Sequence, residues 1–444
     1  MRWPRYGQMK PSGVAWLGDV PGHWDVKRIK HTIVSLANGL WGDEPDGGEE
    51  DISVVRVADF DRVRLRTREQ IPTSRRIPRS DQVSRLLTEG DLLIEKSGGG
   101  DQQSVGVVVR FVGAGPAVSS NFVARMRVAD ECEGAFLVYL HHALYVGRVN
   151  QRSIKQTTGI QNLDAGSYLS ELIAMPPLNE QQIVAAFLDR ETARIDALVA
   201  AKRRLIALLQ EKRTALIARA VTRGLDPDAP TKDSGVTWLG RVPAHWEVGH
   251  LRRFASITDC KHYTVTFADD GLPVASVGEL SGNRFSLKNA KRTTPGEYEF
   301  LRAGRVPRRG ALLYCRNASV GLVGHIDTDE PFALGQDVCL IDAQDTDGRY
   351  LYYQLISRAV TAQLESKMVG ATFNRINVAD IKEFAIAWPP PPEQATISRM
   401  LDGATAALGR QERLAYLTIE RLDEYRSTLI SSAVTGRIDV RAAA

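Results

Sequence analysis

The sequence predicts a mixed α/β protein built twice: two globular α+β domains joined by two long helices that pair as an antiparallel coiled-coil spacer, with an internal pseudo-twofold repeat. Three observations carry this. "SGVAWLGDVPGHWDV" at residues 12–26 returns as "SGVTWLGRVPAHWEV" at residues 234–248, an offset of 222 with eleven of fifteen positions identical. A second echo closes each half: "PPLNEQQIVAAFLDRETARIDAL" and "LLQEKRTALIARAVTRGLD" from Pro176 match "PPPPEQATISRMLDGATAALGRQ" and "RLDEYRSTLISSAVTGRID" from Pro389 at a constant offset of 213. Between opening phrase and closing helix the texture turns to short β-rich runs broken by Gly, Pro, Asp and Asn.

The elements follow in order. Residues 1–175 form the first domain, with strands expected in "ISVVRVADF", "DLLIEKSGGG", "VGVVVRFVG" and "FVARMRV". Residues 176–224 form a central helix, since Asn179 to Thr222 holds no Gly or Pro and Leu188, Ile195, Leu205, Leu209 and Leu216 recur at helical spacing. Such a helix spans roughly 65 Å at its rise per residue and must bury its stripe against a partner. "LDPDAPTKDSG" holds the linker, residues 225–233, and residues 234–388 form the second domain, with strands in "PVASVGEL", "ALLYCR", "VGLVGHID" and "VCLID". Residues 389–439 repeat the helix, with Ile397, Leu401, Leu408, Leu422 and Leu429 as the matching stripe. Gly403 and Gly409 weaken its early turns by about 1 kcal/mol each. The change of offset from 222 to 213 places nine deleted residues inside the second domain.

Composition bounds the function. A chain of 444 residues, 43% apolar and 25% charged, suits several soluble domains. No apolar run approaches a membrane span, and "MRWPRYGQMKPSG" lacks the apolar core of a secretory signal, so a cytoplasmic protein is expected. Cys132, Cys260, Cys315 and Cys339 stand singly, which suggests buried reduced thiols rather than disulfides or a zinc site. The net charge of +4 permits an anionic partner without requiring one.

Catalytic patterns fail against the internal repeat. "MPPL" and "WPPP" lack the flanking residues of an amino-methyltransferase loop and read better as prolines that fix a helix start. Asp91, Glu95 and Lys96 resemble part of a nuclease carboxylate cluster, but their counterparts are Ala311, Cys315 and Arg316, which would supply no acidic oxygens to a metal. No phosphate-binding loop of either common type is present. His23 and His245, each beside a Trp, read as structural residues that dock the opening phrase.

Charge placement is the positive signal. "RVRLRTREQIPTSRRIPR" from Arg62 to Arg79 carries seven Arg against one Glu. Arg62, Arg64, Arg66 and Arg68 alternate, so a strand would turn all four to one face. "KRTTPGEYEFLRAGRVPRR" in the second half, with Arg305, Arg308 and Arg309, suggests an analogous stretch, and Arg suits phosphate contact. Gly- and amide-rich loops add candidates able to bond base edges: Lys96, Ser97, Gln102 and Gln103; Lys155, Gln156, Gln161 and Asn162; Arg316 and Asn317; Lys367, Asn374 and Arg375.

With "TTGIQNLDAGSYLSELIAMPPLNEQQIVAAFLD" and "RTALIARAVTRGLD", their second-half counterparts "GATFNRINVADIKEFAIAWPPPPEQATISRMLD" and "RSTLISSAVTGRID", and the openings "WLGDVPGHW" and "WLGRVPAHW", the chain resembles the specificity (S) subunit of a type I restriction-modification enzyme over nearly its whole length. The second domain departs more, with "GALLYC" and "FALGQDVCLID". The resemblance implies a non-catalytic subunit in which each domain reads one half of a bipartite, gapped double-stranded DNA sequence. It implies that the helices set the half-site spacing and dock two methyltransferase (M) subunits carrying S-adenosylmethionine, with ATP- and Mg-dependent restriction (R) subunits added. No cofactor or metal is expected on this chain. A stand-alone tandem-domain sequence-specific DNA-binding protein is the alternative; a self-sufficient modification enzyme would need the motifs that are missing.

Overall fold

The computed structural model describes residues 3–99, 103–157, 160–343, 348–368 and 375–443. The chain divides into two compact units, residues 1–202 with 417–444, and residues 203–416. Two long helices, Leu178–Arg223 and Pro391–Val434, each begin in one unit and end in the other.

Both units carry the same four-stranded order, extended by two short strands in the first. In the first, strands follow the order Ile33–Asn38, Val123–Val128, Leu92–Glu95, Val108–Arg110, then the short pair Arg66–Thr67 and Phe60–Asp61. In the second the order is Ser256–Asp259, Val338–Asp342, Leu312–Cys315, Val323–His325. Register agrees as well: Val123 faces Glu95 and Ala124 faces Asn38, while Val338 faces Cys315 and Cys339 faces Asp259. A three-stranded sheet also recurs, with Asp51–Val55 between Ala117–Ser119 and Ser74–Arg76, and Phe267–Ala275 between Ala333–Leu334 and Lys291–Thr293. All eight β-rich runs of the sequence contain a strand. Helix Gly134–Val146, apolar on nearly every side, is buried against the first sheet; Arg349–Ile356 and Arg358–Met368 take its place in the second unit.

About half of the inserted length, five of the nine residues, lies in one loop. Glu95 N bonds Val107 O across residues 96–106, and Cys315 N bonds Leu322 O across the shorter residues 316–321. The expected linker is also shorter than 225–233, because Thr231–Asp233 pairs with Arg241–Pro243 as Met9–Pro11 pairs with Asp19–Pro21.

The opening phrases are anchors. Buried Glu180, in the first turn of the central helix, accepts from Tyr6 Oη at 2.6 Å and Trp24 Nε1 at 3.1 Å, and His23 Nε2 lies 2.7 Å from its other oxygen. Burial, with Glu180 beside it, keeps the Tyr6 phenol protonated well above its ordinary range. In the second unit His245 Nε2 lies 2.8 Å from Glu393, but Asp228 stands where the first copy has Tyr6, and buried Trp246 Nε1 has no acceptor among the described residues. A second anchor is matched more closely: Tyr139 Oη donates to Asp189 at 2.7 Å, and Tyr353 Oη to Asp402 at 2.6 Å.

The helix seam is heptad-like. Positions 188, 192, 195, 199, 202, 206, 209, 213, 216 and 220 are buried or half-buried, at alternating steps of four and three, and so are 401, 405, 408, 412, 415, 419, 422, 426, 429 and 433. Leu205 is the exception to the sequence reading. It is exposed, and Ile206 turns inward instead, because a repeat of 3.5 residues moves the seam off a stripe drawn through the leucines alone. Within the first unit Val184 and Leu188 share a core with Leu429, Ile430 and Ala433, and Arg426 donates to Asp196 at 2.6 Å. Within the second, Ile217 and Val221 share a core with Ile397 and Leu401, and Arg213 donates to Glu412 at 3.0 Å. Arg213 and Arg426 are equivalent by the offset of 213, but Gly409 replaces the counterpart of Asp196, so Arg213 takes the next acid along the helix.

Glu180→Ala strands two buried donors and lowers the stability of the first unit by about 3 kcal/mol, whereas Glu393→Ala costs about 1 kcal/mol; equal losses in urea unfolding would contradict this asymmetry. Ile206→Asp buries a charge and costs about 3 kcal/mol or more, while Leu205→Asp stays within about 0.5 kcal/mol, which thermal melts distinguish.

Candidate nucleic-acid interface

Both units close one corner of the sheet in the same way. Lys96, just after strand Leu92–Glu95, sends Nζ to Asn38 Oδ1 at 2.6 Å, the last residue of the neighbouring strand pair. Arg316, just after Leu312–Cys315, donates to the Asp259 carboxylate at the matching strand end. Lys96 is only half-buried, but Arg316 is 3% exposed and also donates to Ile376 O at 3.3 Å. Arg316 is therefore a structural cation and not an open DNA contact, which corrects the sequence expectation: a guanidinium taken out of water stays with its carboxylate. Burial pushes the Asp259 carboxyl up, yet His262 and Arg316 outweigh it and hold it below its ordinary range. Asp259, Cys260 and His262 bring three ligand-type atoms within 4.8 Å, but the Arg316 charge against Asp259 opposes a second cation there.

The alternating arginines do not share a strand face. Phe60–Asp61 and Arg66–Thr67 form a tight hairpin whose turn carries Leu65 at φ 55°, with Asp61 accepting from Val63 N and Arg64 N. The side chains therefore diverge. Arg62 reaches inward to both oxygens of buried Glu95, at 3.0 and 3.1 Å, and its guanidinium also meets the Gln103 amide oxygen. Burial raises the Glu95 carboxyl, against the pull of Arg62. Arg64 lies 3.9 Å from Asp196, Arg66 lies 3.9 Å from Glu69, and Arg68 is exposed.

The later arginines of that run meet an acidic loop, "GDEPDGGEED". Arg75 pairs with Glu44, Arg76 with Asp46 at 2.9 Å and Asp43 at 3.3 Å, and Arg79 with Glu49 at 2.9 Å. The Arg76 guanidinium holds the Asp46 carboxyl below its usual range. Strand pairing also shows that Lys291–Thr293 matches Ser74–Arg76, so the second basic stretch does not correspond to Arg62–Arg68.

The remaining candidates divide. Ser97 donates to Asn162 at 2.6 Å across paired strands, Gln161 is buried and accepts from Val105 N at 3.3 Å, and Lys155 pairs with Asp164 at 2.5 Å. Gln156 is exposed on the same hairpin. Arg305 donates to Asp259 O at 2.6 Å, Arg308 pairs with Asp342, Arg309 with Asp329, and Lys367 with Asp380 at 3.3 Å. Asn317 and exposed Arg375 form a backbone bridge. Gln102 and Asn374 lie outside the described residues. Charge runs do not point to Asn38 and Asp259; they lie 221 residues apart, one residue off the offset of 220 that aligns Lys96 with Arg316, so only the strand ends bring out their correspondence.

Arg62→Ala leaves Glu95 buried without its cation and costs about 2 kcal/mol, whereas Arg68→Ala leaves stability unchanged. Equal, negligible losses in urea unfolding would remove the structural role given to Arg62.

Comparison with known proteins accords with this duplicated arrangement. Residues 246–414 match the type I restriction modification DNA specificity domain. The chain is 21% identical over 370 residues to the MjaVIII specificity subunit of Methanocaldococcus jannaschii, covering 80% of this chain and 81% of the relative. It is 21% identical over 335 residues to the EcoBI specificity subunit of Escherichia coli, covering 73% and 70%. A solved chain from a type I R-M system shares the fold at TM-score 0.69 and 17% identity, covering 94% of this chain and 98% of that one. The HsdS subunit from Thermoanaerobacter tengcongensis does so at 0.55 and 16%, again covering 94% and 98%. Residues 246–414 thus match a DNA specificity domain, and over most of its length the chain is similar to type I restriction enzyme specificity subunits.

Proposed function

We propose that this chain reads a bipartite, gapped sequence in double-stranded DNA, one half-site per domain, on behalf of a methyltransferase that it does not itself contain. The observation that supports this most is the contrast between scaffold and loops: sheet order, register and anchoring tyrosines recur, while the loops at the matched sheet corner carry different side chains. Two homologous readers with unlike loops suit two unlike half-sites. The chain is non-catalytic in this reading; S-adenosylmethionine is held by two M subunits, and ATP with Mg by R subunits.

The helices dock the M subunits and fix the half-site separation. In the second unit Leu205 and Leu208 of the central helix are exposed, apolar surface that suits a protein partner. No helix among the described residues is long and apolar enough to cross a membrane.

Co-expression with a type I methyltransferase subunit in an unmethylated host, followed by single-molecule sequencing of adenine methylation, is expected to return a gapped motif that depends on this chain. A stable DNA-binding chain with no methyltransferase complex would favour the stand-alone reading. Leu205→Asp/Leu208→Asp weakens M-subunit association about tenfold or more without loss of thermal stability. Deleting seven residues from each helix preserves the heptad and removes about 10 Å, so the gap shortens by about three base pairs; an unchanged gap would mean the helices are not the ruler.

A further inference from the structure

The second unit exposes an aromatic and basic cluster at the sheet corner. Tyr263, Phe267 and Phe300 are 44%, 53% and 48% exposed. Tyr263 meets Phe300 edge to face with centroids 5.2 Å apart. Lys261 Nζ sits 3.9 Å from the Phe300 ring centroid and Lys291 Nζ 4.6 Å from that of Phe267. Tyr263 and Lys261 belong to the loop that leaves strand Ser256–Asp259 at the Arg316 corner, and Phe300 to helix Pro295–Arg302.

This loop is held in place rather than buried. Glu297, capped into the helix start by Thr294, accepts from Tyr263 Oη at 3.3 Å, Thr266 N at 3.0 Å and Thr293 Oγ1 at 2.7 Å. Three large rings kept in water by a hydrogen-bonded staple do not serve a core. The corresponding loop of the first unit is of the opposite kind: it is acidic, and its one aromatic, Trp41, lies under the Arg75 guanidinium at 4.5 Å.

We infer that Tyr263, Phe267 and Phe300 form the base-contacting surface of the second domain, packing against the bases of its half-site while Lys261 and Lys291 meet the flanking phosphates. The inference rests on the DNA-reading function proposed above and assigns residues to it. DNA is the occupant that the chemistry fits: aromatic faces bind bases by apolar contact or by wedging into a base step, and cations on the same patch complement the backbone. An acidic partner surface would satisfy the lysines but leave the rings in water.

The test uses the full chain with its methyltransferase partner. In Phe267→Ala/Phe300→Ala, one half of the methylated motif should relax at one or more positions while the other half is unchanged. Binding to a duplex carrying the wild-type motif should weaken about tenfold or more with the same salt dependence. Lys261→Ala/Lys291→Ala should instead reduce the slope of log affinity against log salt by about two. Thermal melts should stay close to the wild type for both, since Phe267, Phe300 and Lys291 are exposed and Lys261 is only half-buried. An unaltered motif and affinity would overturn the inference and leave the DNA-reading function standing. Loss of the partner complex in the aromatic variant would overturn it in favour of a protein-docking patch. A wild-type chain that directs no gapped methylation would fail the DNA-reading function itself, and this inference with it.

Discussion

Each unit needs the start of one helix and the end of the other, and this mutual requirement organises the molecule. The first unit's core takes Leu188 from the central helix and Leu429 and Ile430 from the chain's far end. The second takes Ile397 and Leu401 from the C-terminal helix and Ile217 and Val221 from the central one. A heptad seam with equivalent arginines, Arg213 and Arg426, satisfies both cores with one antiparallel pairing rule. Shifting either helix by one residue would move seam side chains such as Ile206 and Leu209 out of the interior and carry Arg426 away from Asp196. The constant offset of 213 is the sequence trace of that constraint.

Anchoring passes from the seam to the domains. Glu180 and Glu393 tie each opening phrase to a helix start, and Asp189 and Asp402 tie each domain through a tyrosine. The Glu180, Asp189 and Asp402 contacts are buried or half-buried, where losing a partner is costly, whereas the Glu393 contact to His245 is exposed. The corner loops differ in chemistry: acidic and closed over arginines in one unit, basic and aromatic in the other. Shared anchoring with divergent loops is what the proposed reading of two unlike half-sites would need.

The fold was largely legible because its determinants are periodic. The duplicated phrases predict two domains, the Gly- and Pro-free run predicts the long helix, and the β-rich runs become strands. Leu205 shows the limit of periodicity, since the leucines lie on a stripe whose true period only the buried neighbours, Ile206 among them, define. The site was less legible because side-chain direction depends on turns. Alternation placed Arg62, Arg64, Arg66 and Arg68 on one face, but a hairpin with Leu65 in the left-handed region sends Arg62 to Glu95. Arg316 looked like a loop cation until its partner, Asp259, 57 residues earlier in the chain, turned it inward. Phe300 lies inside the second basic stretch, but Tyr263 and Phe267 carry no charge-run or spacing signal, and only folding gathers the three.

The repeat of the seam has one direct consequence for assembly. Under the proposed function, two helices with the same heptad, offset by 213 residues, would each present a docking surface to a single kind of partner. Native mass spectrometry of the chain saturated with its methyltransferase subunit measures this. The proposed docking predicts two methyltransferase copies per chain; a complex that stops at one copy under saturation would contradict it.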